Sequence, residues 1–352
     1  MSEGGCGELG ADGRAAADAG TQAVRAENMA GTGTARAEGA AGARPAGQKL
    51  YLLGHPIGHS KSPDMYNALY ARLGLPWHYA LADCETEDEA RAFLAARDFL
   101  SINVTTPYKP HALEAATARA ASAKLARGAN VLVRKDDALV AYNTDGQGCV
   151  AYLEREGVDF AGARVVVCGT GPTALSILHA ASLAGAGEIV LLGRDKHRAR
   201  GVLEAYVGDF GKLAHATIDL PPACEGHRSF REAYGETAFK FGSYATSTQA
   251  ISAADVVVNA TPLGMRAGDP APFDIALFRE GQTAFDVVYG HGDTAFCTGA
   301  RAAGCRTFDG AGMLVAQAVV TAQTVCDIAG VGLPLSFGEL FDFMAKAAGF
   351  SL

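Results

Sequence analysis

The stretch Asn103-Val104-Thr105-Thr106-Pro107-Tyr108-Lys109 sets an amide, hydroxyls and a cation side by side. The residues before it, Phe99-Leu-Ser-Ile, are apolar as a buried strand is, and Pro107 cannot continue that strand, so polar side chains collect at its exit. Strand exits in α/β domains are where small molecules meet side chains, which makes Lys109 either a catalytic or anchoring cation or a solvated loop charge. Local sequence leaves both readings open. Ser60 and Ser62 stand close together in Gly54-His-Pro-Ile-Gly-His-Ser-Lys-Ser-Pro63. Two hydroxyls there can hold a carboxylate or a polyol, although Ser62 is also expected to cap a helix that has Pro63 in its first turn. His55 and His59 share an i, i+4 spacing, but their loop offers no third ligand, and no metal is expected.

A second group of residues suits an anion. Gly169-Thr170-Gly171-Pro172-Thr173-Ala174 separates the run Arg164-Val-Val-Val-Cys168 from a helix-forming stretch, Leu175 to Ala184. One glycine allows a tight turn, and the other lets a diphosphate approach the N–H groups at the helix start, where the dipole favours negative charge. A strand at Glu188-Ile-Val-Leu-Leu completes a βαβ unit and moves the reading from an ordinary turn to dinucleotide binding. At its end, Gly193-Arg194 stands where an acidic residue would hold a free ribose. Arg194 can pair with a 2′-phosphate, which favours NADP, while Asp195 keeps NAD as the alternative.

These residues need elements to position them. Residues 1–48, rich in Ala, Gly, Arg and Glu, read as a disordered tail, with Met29 as an alternative start and acidic residues opposing a transit peptide. Strands at Lys49–Leu53, Trp77–Ala82 and the one feeding Asn103 alternate with helices after Pro63 and at Glu87–Arg97, which implies a small parallel sheet. A helix near His111–Thr117 follows, then a hairpin of Asn130–Arg134 and Ala138–Tyr142 that delivers the chain to Asn143-Thr-Asp145. A new unit begins near Cys149 with a helix to about Gly157. Beyond the βαβ unit, Leu213–Leu220 reads as a strand and 221–248 as a long loop or insertion. Buried strands at Asp255–Asn259 and Thr283–Tyr289, a helix at Thr294–Ala303 and a short strand at Cys305–Phe308 complete it. The tail from Met313 to Phe350 is helical with a break at Gly330–Pro334. The expected division is a substrate-binding catalytic domain over 49–148, completed by 313–352, and a dinucleotide-binding domain over 149–312.

Composition sets bounds on what such a chain does. Its 352 residues suffice for two cores, 49% apolar content fits a soluble globular protein, and no uninterrupted apolar run spans a bilayer. A net charge of −8 argues against nucleic acid as a partner while leaving room for a local cationic pocket. The eight cysteines form no CxxC pair, and without a secretory segment they read as reduced thiols of a cytoplasmic protein.

Taken in order, these segments resemble the shikimate dehydrogenase family, with its quinate/shikimate relatives. The resemblance runs from about Leu52 to about Gly330. It is carried by Gly54–Pro63, Asn103–Lys109, Asn130, Asn143-Thr-Asp145, Gly169-Thr-Gly171, Asn259-Ala-Thr-Pro-Leu-Gly-Met265, Asp286-Val-Val-Tyr289 and Gly312-Met-Leu-Val-Ala-Gln317-Ala. It implies an α/β fold: a small N-terminal substrate domain, a Rossmann-type domain and C-terminal helices that return to the first domain. It also implies a catalytic pair at Lys109 and Asp145, carboxylate binding at Ser60 and Ser62, ring-hydroxyl contacts at Asn103, Thr105, Asn130 and Gln317, and a substrate-side Tyr289. Cofactor contacts fall at Gly169, Thr170, Gly171, Pro172, Thr173, Arg194, Asn259, Thr261 and Gly310.

The implied activity is reversible NADP-dependent reduction of 3-dehydroshikimate to shikimate, a step toward chorismate and the aromatic amino acids. A quinate or quinate/shikimate dehydrogenase using NAD(P), and a non-catalytic dinucleotide sensor, are the alternatives. The expected partner is the small-molecule substrate, with neither nucleic acid nor membrane, and the expected state is a monomer or homodimer. Departures from the family pattern are Pro172 for a glycine, Gly193 for an asparagine, Asp195 for a hydroxyl residue and Pro262 for a serine. Ala322 and Val325 stand where bulky aromatics are usual, and the segment 221–248 is long.

Overall fold

The computed structural model describes residues 7–8, 47–216, 224 and 226–352. The expected tail over 1–48 therefore lies largely outside the described residues, except that Gly7–Glu8 form a short strand, β1, and Gln48 already belongs to β2 (Gln48–Gly54). After β2 come α1 (Ser62–Arg72), β3 (Trp77–Asp83), α2 (Glu87–Ala96), β4 (Ser101–Val104), α3 (Lys109–Ala115), β5 (Ala118–Arg119), α4 (Ala121–Ala126), β6 (Val131–Lys135) and β7 (Ala138–Tyr142). The six strands from β2 to β7 form one sheet in the order β3-β2-β4-β6-β7-β5. Its first three strands, β2, β3 and β4, are parallel as expected. The β6–β7 hairpin then inserts β6 antiparallel to β4, and β5 pairs parallel with β7 at the other edge. Asp136 takes a left-handed conformation (φ 52°) in the hairpin turn, where a two-residue connection needs one and a short polar side chain tolerates it.

The chain then runs through α5 (Asp145–Arg155), β8 (Arg164–Cys168), α6 (Pro172–Leu183), β9 (Glu188–Gly193), α7 (Lys196–Ala216), α8 (Phe230–Glu236), β10 (Ala238–Ser243), α9 (Thr248–Ala253), β11 (Val256–Asn259), β12 (Thr283–Asp286), α10 (Ala295–Ala302), β13 (Arg306–Phe308), α11 (Gly310–Ile328) and α12 (Phe337–Ala347). The second sheet has the order β1-β10-β9-β8-β11-β12-β13 and is parallel throughout except for β1. Its inner strands β11 and β12 are buried at every position, as strands covered on both faces by helices must be.

Two readings of the sequence are corrected in this sheet. Leu213–Ala216 is the last turn of α7 rather than a strand, because Ala199, Leu203, Tyr206, Phe210 and Ala214 recur at helical spacing and are all buried; residues 217–220 lie outside the described residues. The segment 221–248 is no plain loop. Ser229 and Glu232 form a capping box that starts α8, and β10 buries Phe239 and Phe241 by alternation to extend the sheet beyond β9.

Helix α5 begins at Asp145, ahead of the expected start near Cys149, and it joins the two sheets. A Cβ at Gly146 would lie 1.9 Å from the Ser176 carbonyl oxygen of α6, and one at Gly148 would lie 2.5 Å from the Gln317 nitrogen of α11. The absence of side chains at these two positions is what lets three helices meet. By length and mean composition α11 is apolar enough to cross a membrane, although Gln317, Thr321, Gln323 and Thr324 interrupt its apolar run, and 72% of that stretch is buried within the protein. It packs against α5, and α12 packs against α1, so the C-terminal helices return to the first sheet. Ala322 and Val325 share their core cluster with Tyr66 and Tyr70 of α1 and Phe341 of α12, which supply aromatic volume from neighbouring helices.

Candidate active site

Lys109 enters the site because β4 ends at Val104 and the following turn closes with the Tyr108 N–H donating to the Thr105 carbonyl. The Tyr108 hydroxyl donates to the Cys84 carbonyl at 2.7 Å and anchors that turn, after which α3 starts at Lys109 itself. Lys109 Nζ donates to Asp145 Oδ2 and, at 3.0 Å, to Thr173 Oγ1. Both partners of the ion pair are largely buried, with 14% and 8% of their side chains exposed.

Asp145 is placed from several sides. Its N–H donates to the Asn143 side chain at 3.1 Å, and Asn143 in turn donates to the Gly128 carbonyl at 2.8 Å. Asp145 Oδ1 accepts from Asn130 Nδ2 at 2.8 Å. At the first residue of α5 the carboxylate also faces the positive end of the helix dipole. An acid–base group needs this kind of fixed geometry, because a displacement of about one ångström removes it from the reacting atom.

Around the pair lies a buried polar cluster, the pattern of a pocket for a hydroxylated ligand. Asn130 bridges Thr144 and Asp145, and reaches Gln317 Oε1 at 3.5 Å. Gln317 Nε2 donates to the Leu314 carbonyl. Asn103, 6% exposed, accepts from the Tyr79 hydroxyl at 2.9 Å. Thr144 meets Thr321 at 3.1 Å. Tyr66, stacked on Tyr79 with ring centroids 4.4 Å apart, has a buried hydroxyl without a hydrogen-bond partner. Burial pushes its phenol well up, with Thr321 and Asn103 opposing that shift.

At the mouth, Ser60 Oγ accepts from the Ser62 N–H at 3.2 Å. The expectation of Ser62 as the N-cap is corrected: Lys61 occupies the cap, Ser62 is the first helical residue, and Ser60 provides the capping oxygen. Thr105 is half-buried at the strand exit, and Tyr289, also half-buried, meets Phe350 edge-on, its phenol raised by burial. His55 pairs with Asp83 at 2.7 Å, while the His59 ring lies edge-on to His291, so the two histidines face different partners.

On the other side, the turn Gly169–Gly171 connects β8 to α6. Gly169 has φ 121°, and a Cβ there would lie 2.7 Å from the Ala260 carbonyl, so only glycine fits. At Gly171, the N-cap, a Cβ would meet nothing within 4 Å, and no side chain caps the first-turn N–H groups. Open space before uncapped N–H groups is what an anionic diphosphate requires. Thr170 packs beside Gly193, and Arg194 is exposed at the end of β9, where a ribose would lie.

Five residues expected to touch a cofactor make contacts within the chain. Asn259 is fully buried: its amide donates to Asp286 and the Leu263 carbonyl, and its oxygen accepts from Thr261. These contacts make Asn259 and Thr261 the frame of the loop after β11, with the Leu263 N–H donating to Thr261 Oγ1. Thr173 turns away from the glycine turn and onto Lys109 and Asp145. Pro172 covers Gly128, where a Cβ would lie 2.9 Å from the proline ring, and Gly310 opens α11 with its N–H donating to the Val288 carbonyl.

Sequence reasoning passed over Tyr79, Thr144 and Thr321. Two of them carried a signal: Thr144 stands inside Asn143-Thr-Asp145, and Thr321 follows Gln317 by one helical turn on the same face of α11.

Comparison with known proteins agrees with this arrangement. The shikimate dehydrogenase substrate binding domain matches residues 52–132. A shikimate dehydrogenase (NADP(+)) of Moorella thermoacetica is 35% identical over 269 residues, 76% of this chain and 83% of that protein. The Rubrobacter xylanophilus protein of the same name is 34% identical over 76% of this chain and 87% of its own. Among solved structures, Mycobacterium tuberculosis shikimate dehydrogenase superposes with a TM-score of 0.66 at 25% identity, covering 85% of this chain and 99% of that one. The Thermus thermophilus shikimate 5-dehydrogenase in complex with NADP(H) and shikimate gives a TM-score of 0.66 at 23% identity over the same shares, a likeness of fold. With a lysine–carboxylate pair between the two sheets and relatives this similar along most of their length, the chain belongs to the shikimate dehydrogenase family.

Proposed function

We propose that this protein is a shikimate dehydrogenase, catalysing the reversible NADP-dependent reduction of 3-dehydroshikimate to shikimate. The observation that carries the reading is the buried Lys109–Asp145 pair, with a polar cluster suited to ring hydroxyls on one side and an uncapped helix start on the other. The glycine turn and Arg194 fit NADP: the backbone N–H groups at the start of α6 would hold the diphosphate, and the exposed Arg194 would pair with the 2′-phosphate. Bound there, NADP(H) would supply the hydride for the ring carbonyl carbon, or take it up in the reverse direction.

The chain's own residues handle the rest. Ser60 and Ser62 bind the substrate carboxylate. Asn103, Thr105, Asn130 and Gln317 orient the ring through its hydroxyls; the 3.5 Å contact between Asn130 and Gln317 is long enough for a hydroxyl to replace it. Tyr289 closes the side of the pocket. Lys109 delivers a proton to the carbonyl oxygen as the hydride arrives and recovers it from the hydroxyl in reverse. Asp145 holds the ammonium in place and offsets its charge in a site that excludes water. The substrate side comprises 49–148 with the helices of 313–352, and the dinucleotide side 149–312. Seven described cysteines are free thiols, which supports a cytoplasmic setting.

Steady-state rates with shikimate and quinate, each with NADP and NAD, test the proposal. Shikimate with NADP is expected to be at least about tenfold faster than any other pairing. Faster turnover of quinate with NAD would replace this reading with a quinate dehydrogenase, and hydride transfer to no ring substrate would leave a dinucleotide-binding sensor.

A further inference from the structure

We propose that Thr173 is a positioning residue of the acid–base pair, acting on it from the nucleotide-side helix. The inference rests on the dehydrogenase reading above. Thr173 is in the first turn of α6. Its Oγ1 accepts from Lys109 Nζ at 3.0 Å and donates to Asp145 Oδ2 at 3.1 Å, while the lysine donates to the same carboxylate oxygen. The three polar atoms close a triangle. Two of them come from the first sheet's side of the cleft and one from the second, so the hydroxyl ties the reacting cation to the element that faces the dinucleotide.

Packing next to the triangle fixes the approach. Pro172 sits over Gly128, where a Cβ would lie 2.9 Å from the ring and 3.3 Å from Lys109 Cβ. The proline therefore rests on the same backbone as the lysine, and a shift of the first turn of α6 carries Thr173 with it. Threonine suits the task because branching at Cβ leaves few rotamers, so its hydroxyl stays aimed. Seating a dinucleotide at the start of α6 and orienting Lys109 are thus joined through one residue.

The test compares wild type with Thr173→Val, which keeps the shape and loses the hydroxyl, and Thr173→Ser, which keeps the hydroxyl. Expected is a kcat lower by about tenfold in Thr173→Val, with KM for shikimate and for NADP each within about twofold of wild type. Thr173→Ser recovers most of the kcat. Wild-type kcat in Thr173→Val overturns the role. So does a raised KM for NADP at unchanged kcat, which makes the residue a cofactor contact only, and so does a Thr173→Ser enzyme as slow as Thr173→Val, which makes it packing. Wild-type turnover of shikimate separates the two levels: an inactive wild type removes the reaction reading and this role with it, whereas an active wild type matched by Thr173→Val removes only the role of Thr173.

Discussion

Lys109 and Asp145 define what single residues contribute here. Replacing Lys109 with Ala removes the proposed proton donor but few of the groups proposed to hold the ring, so kcat is expected to fall by about 10²- to 10⁴-fold with KM changing far less; near-wild-type kcat in stopped-flow or steady-state assays would sink the assignment. Arg194→Gln is expected to raise KM for NADP by about tenfold or more while leaving KM for NAD nearly unchanged, since only the 2′-phosphate is lost to it. Equal effects on both cofactors would mean that Arg194 serves the helix start instead. At this scale the sequence was legible where a motif supplied several polar residues together, as in Asn103–Lys109. It was opaque for Thr173, because a residue in a glycine turn points toward the nucleotide or away from it according to packing against Gly128 and Lys109, which no local pattern encodes.

Elements hold these residues by close contact. Gly146→Ala would press a methyl into the Ser176 carbonyl and push α5 from α6, costing about 1–3 kcal/mol or more and displacing Asp145 with it; chemical denaturation together with kcat measures both effects. The layer of α6 and α7 carries a pH signature. His179 is buried among Phe210 and Phe230, with Nδ1 3.1 Å from the Tyr206 hydroxyl, and desolvation lowers its pKa to about 3. Below about pH 6.5 the unfolded chain takes a proton there that the native protein refuses, so the stability present above that pH is lost as pH falls toward 3. His179→Gln keeps a partner for Tyr206 without titrating. Urea midpoints should show wild type losing about 2 kcal/mol more than the variant between pH 6.5 and 5; parallel losses would refute the burial argument. Strands flanked by clear turns were readable at this scale. The end of α7 was not, because Leu213-Ala-His-Ala-Thr-Ile alternates like a strand while the preceding Leu203, Tyr206 and Phe210 set the helical period that prevails.

For the whole molecule, the order of strands and helices was enough to give two α/β units, but not the antiparallel insertion of β6, which depends on where the hairpin docks. Nor could composition show that α11 lies inside the protein; its apolar faces are matched by α5 and α1, elements distant in sequence. Removing residues 336–352 strips Leu340, Phe341 and Met344 from the core, a loss of about 5–9 kcal/mol from burial alone, comparable to the stability of a whole domain. The truncated chain is expected to show no cooperative thermal transition; a retained transition would mean that α12 is dispensable to the first sheet.

The chain passes between the two sheets along α5 and returns along α11, and these helices lie against one another where Gly148 meets Gln317. Two adjacent crossings make a pivot, and Asp145, as the first residue of α5, sits beside it. Strand β10, with β1 beyond it, lies toward the far end of the lever, across the sheet order from β13, which leads directly into α11. A rotation about this axis would sweep the outer edge through a wide arc while scarcely moving the carboxylate, so the lysine pair would stay assembled as the edge moved. Distance distributions between spin labels should broaden for a pair joining exposed sites on β3 and α7, and stay narrow for a pair joining α5 and α11.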